Sequence, residues 1–255
     1  MALAVMILCL GFSLPQGAAA QDQPKGQAFQ IELTMNQLVG EQEAERYQEI
    51  VPADKSITWE VYYPDNGSAE VPGVIVYVSP QNSGRIDSRW RRVLDQQNLI
   101  YIGANGSGNR IPVSRRMVLA LMSLKALEQQ HLFSGNRIYV TGFSNGGRVA
   151  SILASQYPEV FTGAIYICGV DFWNEAQTPR VERVVQNRFV FLTGSKDFNR
   201  NETGRVYHSY LKAGAQHSKL MVVPGMTHAL ADAKALAEAL EFLESGDLPV
   251  NSPAE

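Results

Sequence analysis

Short apolar runs alternate with amphipathic segments along most of this chain, and that alternation is the feature that most limits how it can fold. Eight runs rich in β-branched and aromatic residues are predicted to be strands, at residues 28–35, 57–63, 73–79, 99–104, 137–142, 163–169, 188–194 and 218–224. Between them lie five segments with helical spacing of apolar residues, at 86–97, 114–131, 146–157, 203–213 and 229–244. Strands that alternate with helices predict an α/β domain.

The strands differ in their own patterns, and the difference predicts where they lie. The middle strands, such as 73–79 and 188–194, are apolar throughout, which is typical of a parallel sheet covered on both faces. The first two alternate between apolar and polar residues, so we expect antiparallel edge strands with one solvated face. The predicted fold is an eight-stranded, mostly parallel sheet with helices on both faces. Residues 37–56 are charged and without clear period, and no element is assigned to them.

The beginning of the chain is typical of a secretory signal peptide. An apolar, uncharged stretch at 1–14 is followed by three alanines at 18–20, which predicts cleavage after Ala20. The alternative is a membrane anchor, but the stretch is shorter than the roughly 20 apolar residues of a membrane-spanning helix. We therefore expect a secreted or periplasmic protein without a membrane span, with one domain at 21–246 and a flexible polar tail at 247–255.

Composition excludes several other classes. The 255 residues are 45% hydrophobic, which is enough to build a core without disulfide support. With 22 basic and 25 acidic residues the net charge is −3, so there is no general basic surface to favour nucleic acid as a partner. Two cysteines cannot form a disulfide framework. Removal of the leader takes Cys9 with it, and we expect Cys168, inside a predicted strand, to be a small buried hydrophobe.

The motif that carries chemistry is Gly-x-Ser-x-Gly at residues 142–146, placed between a predicted strand and a predicted helix. A serine on such a sharp, strained turn holds its hydroxyl clear of the sheet. Gly142 and Gly146 stand where larger side chains would collide with the backbone. The N-terminus of the following helix favours negative charge that develops at the site. Ser144 is therefore the predicted nucleophile.

A serine hydroxyl needs a neighbouring base at neutral pH, and one of the four histidines is suitably placed. His228 follows the predicted strand 218–224 and precedes the last helix. Loops at the carboxyl ends of strands are where ligands meet an open α/β sheet. His228 is the predicted general base, and the alternative is a histidine at a helix N-terminus without catalytic duty.

The acid that orients the base is expected between Ser144 and His228 in the chain. Asp197 lies just past the carboxyl end of the predicted strand 188–194, where its carboxylate would accept a hydrogen bond from the imidazole. The rival is Asp171, which follows the preceding strand. We favour Asp197 and interpret Asp171 as a loop cap.

Backbone N–H groups are expected to form the oxyanion hole. One donor is assigned to Asn145, the residue after the nucleophile. The other should come from the loop after strand 73–79, where Pro80 has no N–H to give, so the donor is assigned to Gln81.

Two further loops at the carboxyl ends of strands are expected to form the rim of a substrate pocket. They carry Phe172 and Trp173 after one strand and Asn105 after another. Aromatic side chains there would stack on an aromatic or sugar-like substrate. The alternative is that Phe172 and Trp173 pack beneath their own loop.

Together these residues resemble the α/β-hydrolase superfamily over essentially the whole mature chain. Within it the chain resembles small secreted esterases of the polyhydroxybutyrate depolymerase and feruloyl esterase type. The matching pieces are Tyr62-Tyr63-Pro64, the elbow at 142–147, Gly194-Ser195-Lys196-Asp197 and Gly225-Met226-Thr227-His228. Many such esterases carry a His-Gly pair where this chain has Ser79-Pro80.

The resemblance implies a serine hydrolase that cleaves carboxylic esters through an acyl-enzyme, with no cofactor and no metal. Only residues 170–187 separate two neighbouring core strands, which leaves little room for a cap domain. We therefore expect an open site suited to bulky or polymer-linked esters as well as small ones. The alternatives are a serine peptidase or amidase of the same fold, or a non-catalytic binding protein that retained the fold.

Overall fold

The structure, a computed structural model, describes residues 25–171 and 180–245. One sheet contains the strands β1 Ala28–Thr34, β2 Ser56–Tyr62, β3 Gly73–Val78, β4 Leu99–Ala104, β5 Ile138–Phe143, β6 Gly163–Ile167, β7 Arg188–Gly194 and β8 Ser218–Val223. Their order across the sheet is β1-β2-β4-β3-β5-β6-β7-β8. All eight predicted strands are confirmed, with ends that shift by two residues or fewer.

Helices cover both faces of this sheet, as predicted. They are α1 Met35–Val39, α2 Glu41–Ala44, α3 Arg91–Gln97, α4 Val113–Glu128, α5 Asn145–Gln156, α6 Val181–Val184, α7 Arg200–Lys212 and α8 Ala233–Glu244, with 3₁₀ turns at Glu45–Tyr47 and Ser88–Trp90. Side chains of α3 and α8 pack on one face, and those of α1, α4, α5 and α7 pack on the other. Within the described ranges no helix combines the length and apolarity needed to cross a membrane.

The prediction of two antiparallel edge strands is half right. Both β1–β2 and β2–β4 pair antiparallel, whereas every pair from β3 onward is parallel. However, β2 lies between β1 and β4, so of these two strands β1 alone is at an edge of the sheet. Trp59 of β2 is fully buried and donates a hydrogen bond to the Leu119 carbonyl at 3.0 Å. An alternating pattern therefore indicated the antiparallel pairing correctly but not the strand order, which depends on long-range contacts.

Segment 37–56, to which no element was assigned, begins inside α1 and includes α2 and the first 3₁₀ turn. These helical pieces are short, since α1 has five residues and α2 has four. A capping box at Thr34 and Gln37 starts α1, with both reciprocal hydrogen bonds present. Helices this short show too little periodicity for a sequence pattern to reveal them.

The topology brings three loops to one edge of the sheet. Parallel strands all end on the same side, so the residues that follow β5, β7 and β8 lie close together there. Those residues include Ser144, Asp197 and His228. The predicted leader at 1–20, the tail at 247–255, and the pair Phe172 and Trp173 lie outside the described residues.

Candidate active site

Ser144 occupies a strained turn between β5 and α5. Its backbone has φ 55° and ψ −123°, a positive φ that residues with a side chain rarely adopt. Such a conformation costs roughly 1–3 kcal/mol and persists only where the surroundings impose it. The Ser144 N–H donates to the Ile167 carbonyl at 2.8 Å, which ties the turn to the end of β6.

The glycines on either side of Ser144 are required by close backbone contacts, as the sequence predicts. A Cβ on Gly146 would lie 2.0 Å from the Val78 carbonyl oxygen, at the end of β3. A Cβ on Gly142 would lie 2.3 Å from the Gly146 carbonyl. The turn therefore packs directly against the neighbouring strand, which places the serine beside the loop that follows β3.

His228 connects the serine to a carboxylate. Its Nε2 lies 2.8 Å from Ser144 Oγ, and its Nδ1 lies 2.8 Å from Asp197 Oδ1. The structure thus brings together the three residues that the sequence predicted for the triad. Asp171 is exposed, and its backbone N–H donates to the Ser151 hydroxyl at 2.9 Å. The imidazole nitrogen that needs an orienting acid is therefore bonded to Asp197 and not to Asp171.

Asp197 is buried and held by several donors. Burial alone would raise the pKa of its carboxyl, but hydrogen bonds outweigh burial and lower the pKa from its usual value. These donors include the Asn199 N–H at 3.1 Å from Oδ1 and the Thr193 hydroxyl at 2.8 Å from Oδ2. The carboxylate is consequently ionised at neutral pH and fixed in orientation, as a partner of an imidazolium must be.

Cys168 lies beneath the histidine and the acid. Its side chain is fully buried, and burial raises the pKa of the thiol to about 12. The thiol, Asp197 and His228 place their ligand atoms within 4.8 Å of one another, the kind of set that can hold a metal ion. Yet the thiol is protonated at neutral pH and the other two groups are hydrogen-bonded to each other. The expectation of a small buried hydrophobe fits this position, where the thiol donates to the Ala229 carbonyl at 3.4 Å.

Two aromatic rings contact the imidazole of His228. The Phe198 ring stacks on it at a centroid distance of 4.1 Å and an interplanar angle of 26°. The Phe143 ring lies at 5.1 Å. Phe198 is 78% exposed, so it forms part of the open surface around His228. Sequence reasoning missed Phe198, although a phenylalanine directly after the predicted acid was the available signal.

The two expected oxyanion donors have different surroundings. Asn145 is the first residue of α5, where a backbone N–H has no acceptor within its own helix. The Gln81 N–H donates to the Ser79 hydroxyl at 3.1 Å, inside its own loop. Gln81 can therefore serve an oxyanion only by exchanging this acceptor.

Asn105 was expected on the rim of the pocket, and the structure shows both ends of its amide engaged within the protein. Its Oδ1 accepts from the Gly84 N–H at 2.8 Å, and its Nδ2 donates to Glu60 at 3.0 Å. Asn105 thus braces the loop that follows β3.

A cavity of about 380 Å³ opens beside the elbow, within the size range of small-ligand pockets. Ser79, Pro80 and Gln81 form part of its wall. Its wall also includes four aromatic residues that the sequence analysis did not assign to a pocket, namely Tyr77, Trp90, Tyr101 and Phe143. The cavity is therefore bounded by the same loop that is expected to give the second oxyanion donor.

Residues 87–188, less than half of the chain, match the family model described as Esterase PHB depolymerase. No curated protein shows significant sequence similarity to the chain.

Solved structures share the fold at low sequence identity. A thermostable esterase has a TM-score of 0.55 and 17% identity, over 74% of this chain and 59% of that one. Est1E from Butyrivibrio proteoclasticus has a TM-score of 0.55 and 16% identity, over 74% of this chain and 96% of that one. An acylaminoacyl peptidase from Pyrococcus horikoshii has a TM-score of 0.55 and 14% identity, over 75% of this chain and 39% of that one.

The chain spans only 59% of that thermostable esterase and 39% of that peptidase. At these identities the likeness concerns the fold, which hosts many hydrolytic reactions. The eight-stranded sheet, the strained serine turn and the matched segment agree with one another. The chain therefore has the α/β-hydrolase fold, and over residues 87–188 it resembles the esterases of the PHB depolymerase family.

Proposed function

We propose that this protein is a serine hydrolase that cleaves carboxylic esters. The observation that carries the proposal is the imidazole of His228, which lies 2.8 Å from both the Ser144 hydroxyl and the Asp197 carboxylate. This arrangement can remove the serine proton during attack and return it to the leaving group. The match to an esterase family model supports an ester as the substrate.

The reaction proceeds in two steps. In the first, Ser144 Oγ attacks the ester carbonyl carbon while His228 Nε2 takes the hydroxyl proton, and Asp197 stabilises the imidazolium. The tetrahedral intermediate collapses, the C–O bond to the alcohol breaks, and the alcohol leaves with the proton from His228. In the second, water attacks the acyl-serine by the same route and releases the carboxylic acid.

The negative charge on the intermediate would be bound by the Asn145 and Gln81 N–H groups. The first stands at the positive end of α5, where the helix dipole favours an anion. The second would leave the Ser79 hydroxyl when the oxyanion arrives. Each such donor is worth about 10²–10³ in kcat in serine hydrolases.

The substrate enters from an open surface. The side chain of His228 is 19% exposed, and the Phe198 ring stacked on it is largely exposed. Together with the aromatic-lined cavity of about 380 Å³, this surface suits a small acyl or alcohol group attached to a larger body. We therefore propose that the substrates are small or polymer-linked esters. We also propose that the protein is exported and hydrolyses them outside the cytoplasm.

Hydrolysis of a p-nitrophenyl ester and of a peptide p-nitroanilide by the same preparation separates an esterase from an amidase. The account predicts turnover of the ester at least a hundredfold above that of the anilide, and loss of both in Ser144→Ala. Preferential cleavage of the anilide would identify a peptidase or amidase of the same fold. An inactive, folded wild type would indicate a binding protein.

A further inference from the structure

Arg116 is a buried guanidinium that the ester hydrolysis described above does not use. It lies in the first turn of α4 and is 1% exposed. Arginine is almost never fully buried unless its charge is paired. Among the described residues, however, no carboxylate pairs with it, and its Nε has no hydrogen-bond partner.

The position of this charge is unfavourable for stability. Removing an ion from water is strongly unfavourable when no counter-ion compensates. The N-terminus of a helix is also the positive end of its dipole, which repels a cation, and the first turn of α4 carries no acidic residue. Burial lowers the pKa of Arg116, and no acidic neighbour opposes this shift. Stability alone gives no reason for an arginine here.

The hydrogen bonds of Arg116 point to a different reason. Its Nη2 donates to the Ser79 carbonyl at 2.9 Å, and its Nη1 reaches the Asn145 carbonyl at 3.5 Å. Ser79 opens the loop that carries Gln81, and Asn145 follows the nucleophile. One guanidinium thus connects the two backbone segments that are expected to bind the oxyanion.

We infer that Arg116 is a positioning residue that holds the two halves of the oxyanion hole at a fixed separation. The inference rests on the proposed function. The Ser79–Pro80 peptide has no N–H, so the loop cannot anchor itself there through a backbone donor. The planar guanidinium supplies two donors in a rigid fork, which one ammonium group cannot reproduce. Its buried positive charge also favours the negative charge that develops nearby in the transition state.

Two substitutions at this position and one beside it test the role. Arg116→Met removes the charge and both donors, while Arg116→Lys keeps the charge but cannot span both carbonyls. The matched control is Arg115→Met on the same helix, because Arg115 donates to the Ile50 carbonyl at 2.8 Å, outside the site. For each variant we would measure kcat and KM for a p-nitrophenyl ester, and also the melting temperature. A fourth measurement is the inhibition constant of an alkylboronic acid, which forms a tetrahedral anion on the serine.

For Arg116→Met we expect kcat to fall by about 10²–10³, the range for one oxyanion donor, with KM within about threefold of the wild type. The inhibition constant of the boronic acid should rise in parallel, which a merely structural role would not produce. Arg116→Lys should lose about tenfold in kcat, and Arg115→Met less than threefold.

A folded Arg116→Met with kcat within threefold of the wild type would overturn the inference, as would an equal loss in Arg115→Met. If Arg116→Met does not fold, Arg116→Lys decides, and an unchanged kcat there would also overturn it. Inactivity of the wild type contradicts the proposed function and this inference with it, whereas an active wild type with unaffected variants contradicts the inference alone.

Discussion

His228 Nε2 lies 2.8 Å from Ser144 Oγ, although 84 positions separate the two residues in the chain. The contact exists because β5 and β8 end at the same edge of one sheet. The strained backbone of the Ser144 turn holds the hydroxyl at this edge, where the imidazole can reach it. The geometry therefore links the local backbone of the elbow to the chemistry proposed for it.

The choice between the two aspartates is open to a direct test. Asp197→Asn keeps the shape of the side chain but removes the charge that stabilises the imidazolium, so we expect kcat for a p-nitrophenyl ester to fall by about 10⁴. Asp171→Asn should change kcat by less than about threefold, because Asp171 is exposed and Asp197 already bonds the imidazole. The reverse ranking of the two variants would reassign the acid.

The stability of the protein should depend on the ionisation of Asp197. Its pKa is lowered in the folded state, so the charged carboxylate favours folding above the unfolded pKa of about 3.9. That contribution is lost as the pH falls through the folded pKa. The difference in unfolding free energy between wild type and Asp197→Asn, from urea titrations at pH 7, 5 and 3, should therefore be largest at pH 7 and 5 and smallest at pH 3. A difference that stays constant over this range would contradict the account.

Two glycines should respond oppositely to alanine. Gly146→Ala would push a Cβ to 2.0 Å from the Val78 carbonyl, so we expect kcat to fall by at least a hundredfold as the elbow shifts. The matched control is Gly204→Ala within α7, where a Cβ would meet nothing within 4 Å. That variant should keep full activity and gain about 0.5–1 kcal/mol of stability. Esterase kinetics and thermal unfolding measure both effects, and a fully active Gly146→Ala would refute the steric argument.

The ring stacked on the base should support its orientation. Aromatic stacking contributes about 0.5–1.5 kcal/mol, so Phe198→Ala should lower kcat by roughly 3–10-fold. Its melting temperature should change little, because the side chain is 78% exposed. Phe198→Tyr preserves the ring and should retain wild-type kcat. Equal activity in all three proteins would remove Phe198 from the site.

Sequence patterns predicted the eight strands, the longer helices and the three polar residues at the sheet edge because all of these depend on local signals. Continuous apolar runs mark buried strands, and Ser144, Asp197 and His228 each lie within five residues of the end of a strand. Arg116 gave no such signal, since an arginine in a predicted helix is usually exposed. The carbonyl groups that its guanidinium contacts belong to Ser79 and Asn145, which are distant in the sequence. The stacking of Phe198 on the base and the internal position of β2 also depend on tertiary packing.

The most direct test of the central claim is covalent labelling by a fluorophosphonate, followed by mass spectrometry of the modified peptide. Phosphonylation needs an activated serine and an oxyanion hole, but not a matching substrate. The account predicts stoichiometric labelling of the folded wild type on Ser144 and no labelling of Ser144→Ala. A folded wild type that remains unlabelled, or one labelled on another serine, would contradict it.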